Sequence, residues 1–253
     1  MRIAAFAMWL LAGAALLAQP AFEVASIKSW TSREVGGVHV YPGGRMEFRG
    51  CTLPHLIQQA FNVQEFQVSG GPVWVDHERY DIDAKPPASS QSSHYMPPYS
   101  KAPMTAEQRA MLQSLLVERF HLQYRRENRD GPVYVLARGN KPLKMTDAKD
   151  KNEYPWAGGP GGGALMGDGL KGTNESMDDL AWRLSPYLGR AVLNRTEISG
   201  SYDFLADYPL EDGRGDIVGM ILATVKELGL KLEATKGPIE TIVIEHAEKP
   251  SAN

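Results

Sequence analysis

The chain predicts an α+β fold of two similar modules, each with two helices packed on a small, mainly antiparallel sheet. Three observations carry that expectation. Gly43 to Pro142 and Leu170 to Pro250 run through one order: strand, amphipathic helix, strand pair, helix, strand, turn, strand. The correspondence extends to single residues, with Tyr80-Asp81-Ile82 recurring as Tyr202-Asp203-Phe204, Leu122-Gln123-Tyr124 as Leu230-Lys231-Leu232, Gly131-Pro132-Val133 as Gly237-Pro238-Ile239, and Lys141-Pro142 as Lys249-Pro250. Tyr80, Ile82 and Ala84 alternate with Asp81 and Asp83, the pattern of a sheet wet on one side, which antiparallel sheets allow. A duplicated small module offers surface before it offers a catalytic cleft, so the expectation moves toward a ligand-holding protein.

The elements follow in order. Met1-Arg2 and the uncharged apolar run from Ile3 to Ala18 have the form of a secretory leader, so residues 1–18 are read as a signal peptide. The run falls short of the roughly 20 residues that span a bilayer, and no later segment is apolar enough, which predicts no membrane span after cleavage. Phe22 to Lys28, Val38 to Tyr41 and Met46 to Phe48 read as strands separated by Gly36-Gly37 and Pro42-Gly43-Gly44 turns. Thr52 caps a helix whose Leu53, Leu56, Ile57, Ala60 and Phe61 share one face, and Asn62 ends it. Val63 to Val68 and Arg79 to Ala84 are strands. Thr105-Ala106-Glu107-Gln108 has capping-box form ahead of the Leu112, Leu115, Leu116 and Phe120 stripe. Residues 86–103, rich in Pro and Ser, read as a mobile loop. N-terminal strands and first module together occupy 19–143.

Residues 144–169, with Gly158-Gly159-Pro160-Gly161-Gly162-Gly163, lose so much backbone entropy on ordering that they read as a linker. In the second module, 170–253, Ser176 caps a helix carrying Leu180, Ala181 and Leu184, with a break or kink at Pro186 and a close at Gly189. Asp216 caps the next, with Ile217, Met220, Ile221, Val225 and Leu228 as its stripe and Gly229 as its left-handed cap. Leu230-Lys231-Leu232 and Thr241 to Glu245 are expected to form a final hairpin.

Composition narrows function. Twenty-seven lysines and arginines against 30 acids give a net charge of −3, and no basic run exceeds Arg125-Arg126, so nucleic acid is excluded as a partner. The single cysteine, Cys51, makes no internal disulfide and reads as a small buried hydrophobe. The six histidines lack metal-ligand spacing, no nucleophile elbow is present, and the glycine run lacks the Lys-Ser/Thr that grips phosphate. No metal and no cofactor is therefore expected. Aromatic residues in loop-like segments, Trp74, Tyr95, Tyr99, Tyr154 and Trp156, are the candidate binding residues, and plugging the seam between modules is the other role open to Trp74 and Trp156.

The frame Phe22-Glu23-Val24-Ala25-Ser26-Ile27-Lys28, with Gly43-Gly44-Arg45, Gly70-Gly71-Pro72-Val73-Trp74, Tyr80 to Lys85, Glu118-Arg119-Phe120, Pro132-Val133-Tyr134 and Glu248-Lys249-Pro250-Ser251, resembles a large uncharacterised family of exported proteins abundant in soil Acidobacteria. The resemblance implies no assigned reaction, and implies related domains joined to antirepressor-type membrane sensor peptidases. Each half is also similar to the short N-terminal module of secretins and TonB-dependent receptors, through Asn174 to Leu188, Thr196 to Phe204 and Leu228 to Glu233. That similarity implies periplasmic docking without catalytic residues.

The resulting expectation is a non-catalytic periplasmic or secreted envelope protein that docks a protein, peptide or glycan through sheet edges and loop aromatics, with a role in envelope sensing as one form of it. The alternative is a hydrolase at the seam between the modules, with Asp76, His77, Asp83 and His94 as its first catalytic candidates.

Overall fold

Local chemistry decides where each helix starts and stops. The computed structural model describes residues 19–32, 36–90, 104–151, 153, 155–159, 169–207 and 216–251. Helix α1 (Leu53–Phe61) begins where Thr52 accepts a hydrogen bond from the His55 N–H at 3.3 Å, and ends at Asn62 in the left-handed region. Helix α2 (Ala106–Arg119) carries the full capping box between Thr105 and Gln108. Helix α3 (Met177–Leu188) is capped by Ser176, continues through Pro186 and closes on left-handed Gly189, so no break occurs at the proline. Helix α4 (Ile217–Glu227) starts where Asp216 accepts from the Val218 and Gly219 N–H groups. The secretory-leader expectation, residues 1–18, lies outside the described residues, as does 91–103 of the Pro/Ser-rich segment.

Three four-stranded, mainly antiparallel sheets accompany these helices, so the fold is α+β. The first contains β1 (Val24–Ser29), β2 (Gly37–Val40), β3 (Met46–Cys51) and β5 (Tyr80–Lys85), in the order β1-β5-β3-β2. Met46, Phe48, Ile82 and Ala84 point inward and are buried, while Glu47, Arg49, Asp81 and Asp83 alternate outward. Glu47 and Asp83 sit opposite each other in register, a like-charge pair that Arg49 offsets by bonding Asp83 at 2.9 and 3.1 Å and Glu47 at 3.2 Å.

The second sheet is built on β6 (Gln123–Arg138) and β12 (Leu230–His246), which pair antiparallel from Gln123↔His246 through Gly131↔Gly237 to Arg138↔Leu230. Strand β4 (Val68–Gly70) lies parallel to β12 at Ile242 to Ile244, and β10 (Val192–Asn194) parallel to β6 at Tyr134 to Leu136. The expected turns at Gly131-Pro132 and Gly237-Pro238 are absent: both strands run straight through, and the expected final hairpin becomes one long strand. The reason lies in the sheet. Neither β4 nor β10 reaches the middle of the ribbon, so Pro132 and Pro238 occupy a two-stranded stretch where no third strand needs their missing N–H.

The third sheet orders β7 (Met145–Asp147), β11 (Ser201–Asp207), β9 (Gly169–Ser176) and β8 (Trp156–Gly158) as β7-β11-β9-β8. Segment 144–169 therefore reaches into this sheet through β7 and β8 rather than acting only as a connector. Asn174, buried and left-handed, ties that segment down: its amide donates to the Lys151 and Glu153 carbonyls and its Oδ1 accepts from Ser201 Oγ. Gly172 lies directly under the Phe204 ring, where a Cβ would approach ring carbons to 2.2 Å.

From β3 to β6 and again from β9 to β12 the order is strand, helix, strand, strand, helix, strand. Two hydrophobic cores result, and each takes residues from both halves of the sequence. The first joins α1, α2 and the inward face of the first sheet to Ile242 and Ile244 of β12, and the second joins α3, α4 and the third sheet to Leu136 of β6.

Candidate binding site at the seam

Where the two cores meet, the end of α1, the start of α3, β10 and the middle of the β6/β12 ribbon enclose a cleft of about 680 Å³. Its first wall begins with Asn62, the left-handed residue that ends α1, and continues through Gln64 and Gln67. Both glutamines are buried and committed. Gln64 Nε2 donates to the Trp182 carbonyl at 2.8 Å, Gln67 Nε2 to the Glu240 carbonyl at 2.6 Å, and Gln67 Oε1 accepts from the Gln64 N–H at 2.9 Å. These bonds stitch the two cores together and fix the shape of the cleft.

The opposite wall comes from α3 and β10. Asp178 Oδ1 accepts from Asn194 Nδ2 at 2.9 Å, and Asp179 Oδ2 accepts from Ser176 Oγ at 2.7 Å, which leaves each carboxylate one further oxygen. Asn194 Oδ1 in turn accepts from the Thr196 N–H and hydroxyl. Arg109 of α2 lines the same space and donates to the Met104 carbonyl; burial lowers its guanidinium pKa and the Asp179 charge raises it back. Glu240 pairs with Arg126. Three carboxylates thus face one lining guanidinium. Trp182 Nε1 is, among the described residues, the buried side-chain polar atom with no hydrogen-bond partner. An indole N–H left so is costly, and buried donors are seldom orphaned.

The residues singled out from sequence lie elsewhere. Asp76 and His77 are exposed at the end of the 3-10 turn that follows β4, and neither they nor Asp83 line the cleft. Asp83 is held by Arg49, whose hydrogen bonds lower its carboxyl pKa, and is therefore a poor general base. Burial pushes the Cys51 thiol up to about 12, which removes it as a nucleophile. His94, Tyr95, Tyr99 and Tyr154 lie outside the described residues. Among the described residues no group of three or more His, Cys, Asp or Glu side chains is placed to hold a metal ion, and no helix is long and apolar enough to cross a membrane.

Trp156 is half-buried on β8 opposite Thr173. Trp74 is half-buried against the first core, edge-on to Tyr80 with ring centroids 6.4 Å apart, and Tyr80 meets Phe120 in the same way at 5.3 Å. Trp74 therefore packs rather than standing free. Trp74→Ala is expected to lower the unfolding free energy by about 1–3 kcal/mol, read from the denaturation midpoint at unchanged slope. An unchanged midpoint would return Trp74 to the free contact residues.

A family model described as "Protein of unknown function (DUF3738)" matches residues 54–247. The chain belongs to that family. No curated protein and no solved structure matches it. The matched DUF3738 span runs from α1 to just beyond β12, so it includes both walls of the cleft and both strands of the central ribbon. Sequence reasoning found Asn62 only as a helix stop and missed Gln64, Gln67, Arg109 and Trp182 as a group. One readable signal was the Gln64-x-x-Gln67 spacing, which forms a reciprocal cap on the Glu65–Gln67 turn.

Proposed function

We propose that this chain is a non-catalytic binding protein of the cell envelope, periplasmic or secreted by way of its leader, that docks a protein, peptide or glycan partner. We further propose that it arose from two copies of one module, with docking at their seam. The observation that carries this reading is the cleft itself: its two walls are held in place by hydrogen bonds between residues 118 and 173 positions apart, from Gln64 to Trp182 and from Gln67 to Glu240. Such a cleft is preorganised, so little ordering is required when a partner enters. Its size falls in the roughly 300–1,000 Å³ range of ligand clefts. Trp156, Tyr95, Tyr99 and Tyr154 remain contact candidates from the sequence.

Site-specific photo-crosslinking in envelope extract tests the reading. A photoreactive residue at Ile239, which lines the cleft, is expected to capture a discrete partner that excess unmodified protein displaces. The same group at Arg45, on the charged outer face of the first sheet, is expected to capture none. Equal capture from both positions, or none from Ile239, sinks the proposal.

A further inference from the structure

We infer that the open edge of β6 pairs with the same edge of a second copy of this chain, antiparallel over Arg126 to Asp130 about a two-fold axis at Asn128. This goes beyond the docking reading, which concerns the cleft. The bonds to β10 show which way β6 faces: the Tyr134 N–H donates to the Ala191 carbonyl at 2.9 Å, and the Leu136 carbonyl accepts from the Arg195 N–H at 2.8 Å. Tyr134 and Leu136 therefore turn their backbone groups away from β12. The register with β12 runs unbroken from Arg138 to Tyr124, and in an antiparallel pair the bonding direction alternates by residue, so Arg126, Asn128 and Asp130 turn theirs the same way. Strand β10 covers only Tyr134 to Leu136. Among the described residues no other strand lies on that side of β6, and no hydrogen bond reaches the backbone of those three residues there. Unpaired backbone groups along a strand edge are a template for another strand.

The side chains select the partner. Charges along an edge ordinarily ward off pairing, and Arg126-Glu127-Asn128-Arg129-Asp130 is densely charged and, Glu127 apart, exposed. Its order of signs, however, is self-complementary. Turned antiparallel about Asn128, the segment sets Arg126 opposite Asp130 of the second copy and Glu127 opposite Arg129, and the two-fold axis repeats both contacts, each an opposite-charge pair that stabilises a cross-strand contact. Outward-facing residues must meet for the backbones to bond, so the register can slip only in steps of two. One step sets Glu127 opposite itself and Arg125 opposite Arg129; the other sets Arg129 opposite itself. Asp130 makes no ion pair among the described residues, and Arg126 bonds Glu240 through Nη1 alone, which leaves its other N–H groups for the new contact. Pro132, without an N–H, ends the pairing, and beyond it the twist between neighbouring strands, about 20–25°, carries the second copy's strand out of the lane that β10 occupies.

Sedimentation velocity of the purified protein between about 1 and 100 μM reads the assembly, and a dimer is expected to form within that range. Asn128→Pro deletes the central N–H, which bonds nothing in the single chain, and the ribbon already holds Pro132 and Pro238 at positions that face outward in the same way. This variant is expected to be a monomer with an unchanged denaturation midpoint. Asp130→Arg and Arg126→Asp each set like charges opposite one another and are expected to weaken dimerisation about tenfold or more. Mixed in equal amounts they are expected to restore it, because each reversed residue then meets an opposite charge on the other copy. A monomer at about 100 μM, a dimer that Asn128→Pro leaves intact, or a mixture no tighter than either variant alone overturns the assignment. A monomer that still captures an envelope partner at Ile239 loses the edge pairing and keeps the cleft; a dimer without such capture keeps the edge pairing and loses the cleft.

Discussion

Replacing Arg183 by methionine is expected to remove about 3–5 kcal/mol of folding free energy. Arg183 and Glu175 form a buried ion pair, with side-chain exposures of 4% and 0% and an Nε to Oε1 distance of 2.6 Å. Arg183 Nη2 also donates to the Pro155 carbonyl at 3.0 Å, so one guanidinium joins β9, α3 and the segment before β8. Deleting it leaves a carboxylate without its counter-charge in the second core. The cost comes less from the lost attraction than from leaving Glu175 buried without a partner, where it must take up a proton at a cost that grows with pH, so replacing both partners by methionine is expected to recover most of the loss.

The same pair gives a pH signature. Burial pushes the Glu175 carboxyl up to about 7, and the Arg183 charge and hydrogen bonds pull it back. An acid whose folded value lies above its unfolded one, about 4.3, adds stability that is complete below the unfolded value and is lost as pH rises through the folded one. Without Arg183 the folded value moves higher still, so the Arg183→Met deficit is expected to widen as pH rises past about 7. Urea titrations on either side of that pH measure it. A deficit under about 1 kcal/mol, or one that narrows with rising pH, refutes a buried pair.

Much of this fold was readable because its signals are local. Thr52, Thr105, Ser176 and Asp216 cap the helices they precede, since a cap depends only on three or four neighbouring residues. The alternation of Asp81 and Asp83 with buried neighbours marks its strand for the same reason. What stayed hidden depends on distant chain. Whether Gly131-Pro132 turns or runs straight is settled by which strand lies alongside, and the neighbour proved to be Gly237-Pro238 from the other half. Trp74 follows Gly-Gly-Pro-Val and reads as a loop residue, yet its 3-10 turn folds it onto Tyr80. The seam cleft was the least legible feature, because Gln64 and Trp182 have no sequence relation that forecasts their meeting.

Gly229→Ala is expected to cost about 2–5 kcal/mol, and the comparison that explains it lies within the same chain. Gly229 leads from α4 into β12 with φ +81°, a conformation that costs a side-chain-bearing residue about 1–3 kcal/mol. A Cβ there would stand 2.4 Å from the Pro142 carbonyl oxygen and 3.0 Å from Leu143 Cα, backbone atoms that no rotamer change can move aside. Around it the Gly139 N–H donates to the Gly229 carbonyl at 2.9 Å and the Lys144 N–H to the Leu228 carbonyl at 3.1 Å, so displacement also loosens the approach to β7. The matching position between α2 and β6 is His121, likewise left-handed at φ +46° but exposed. One turn geometry thus occurs twice, once against neighbouring backbone and once in the open. His121→Gly is accordingly expected to change stability by less than about 1 kcal/mol, the gain from relieved strain and the loss from a freer unfolded chain nearly cancelling. Denaturant midpoints for the two single variants separate the contributions. A Gly229→Ala loss no greater than about 1 kcal/mol would mean that the Pro142 backbone yields, and that conformation alone selects glycine there.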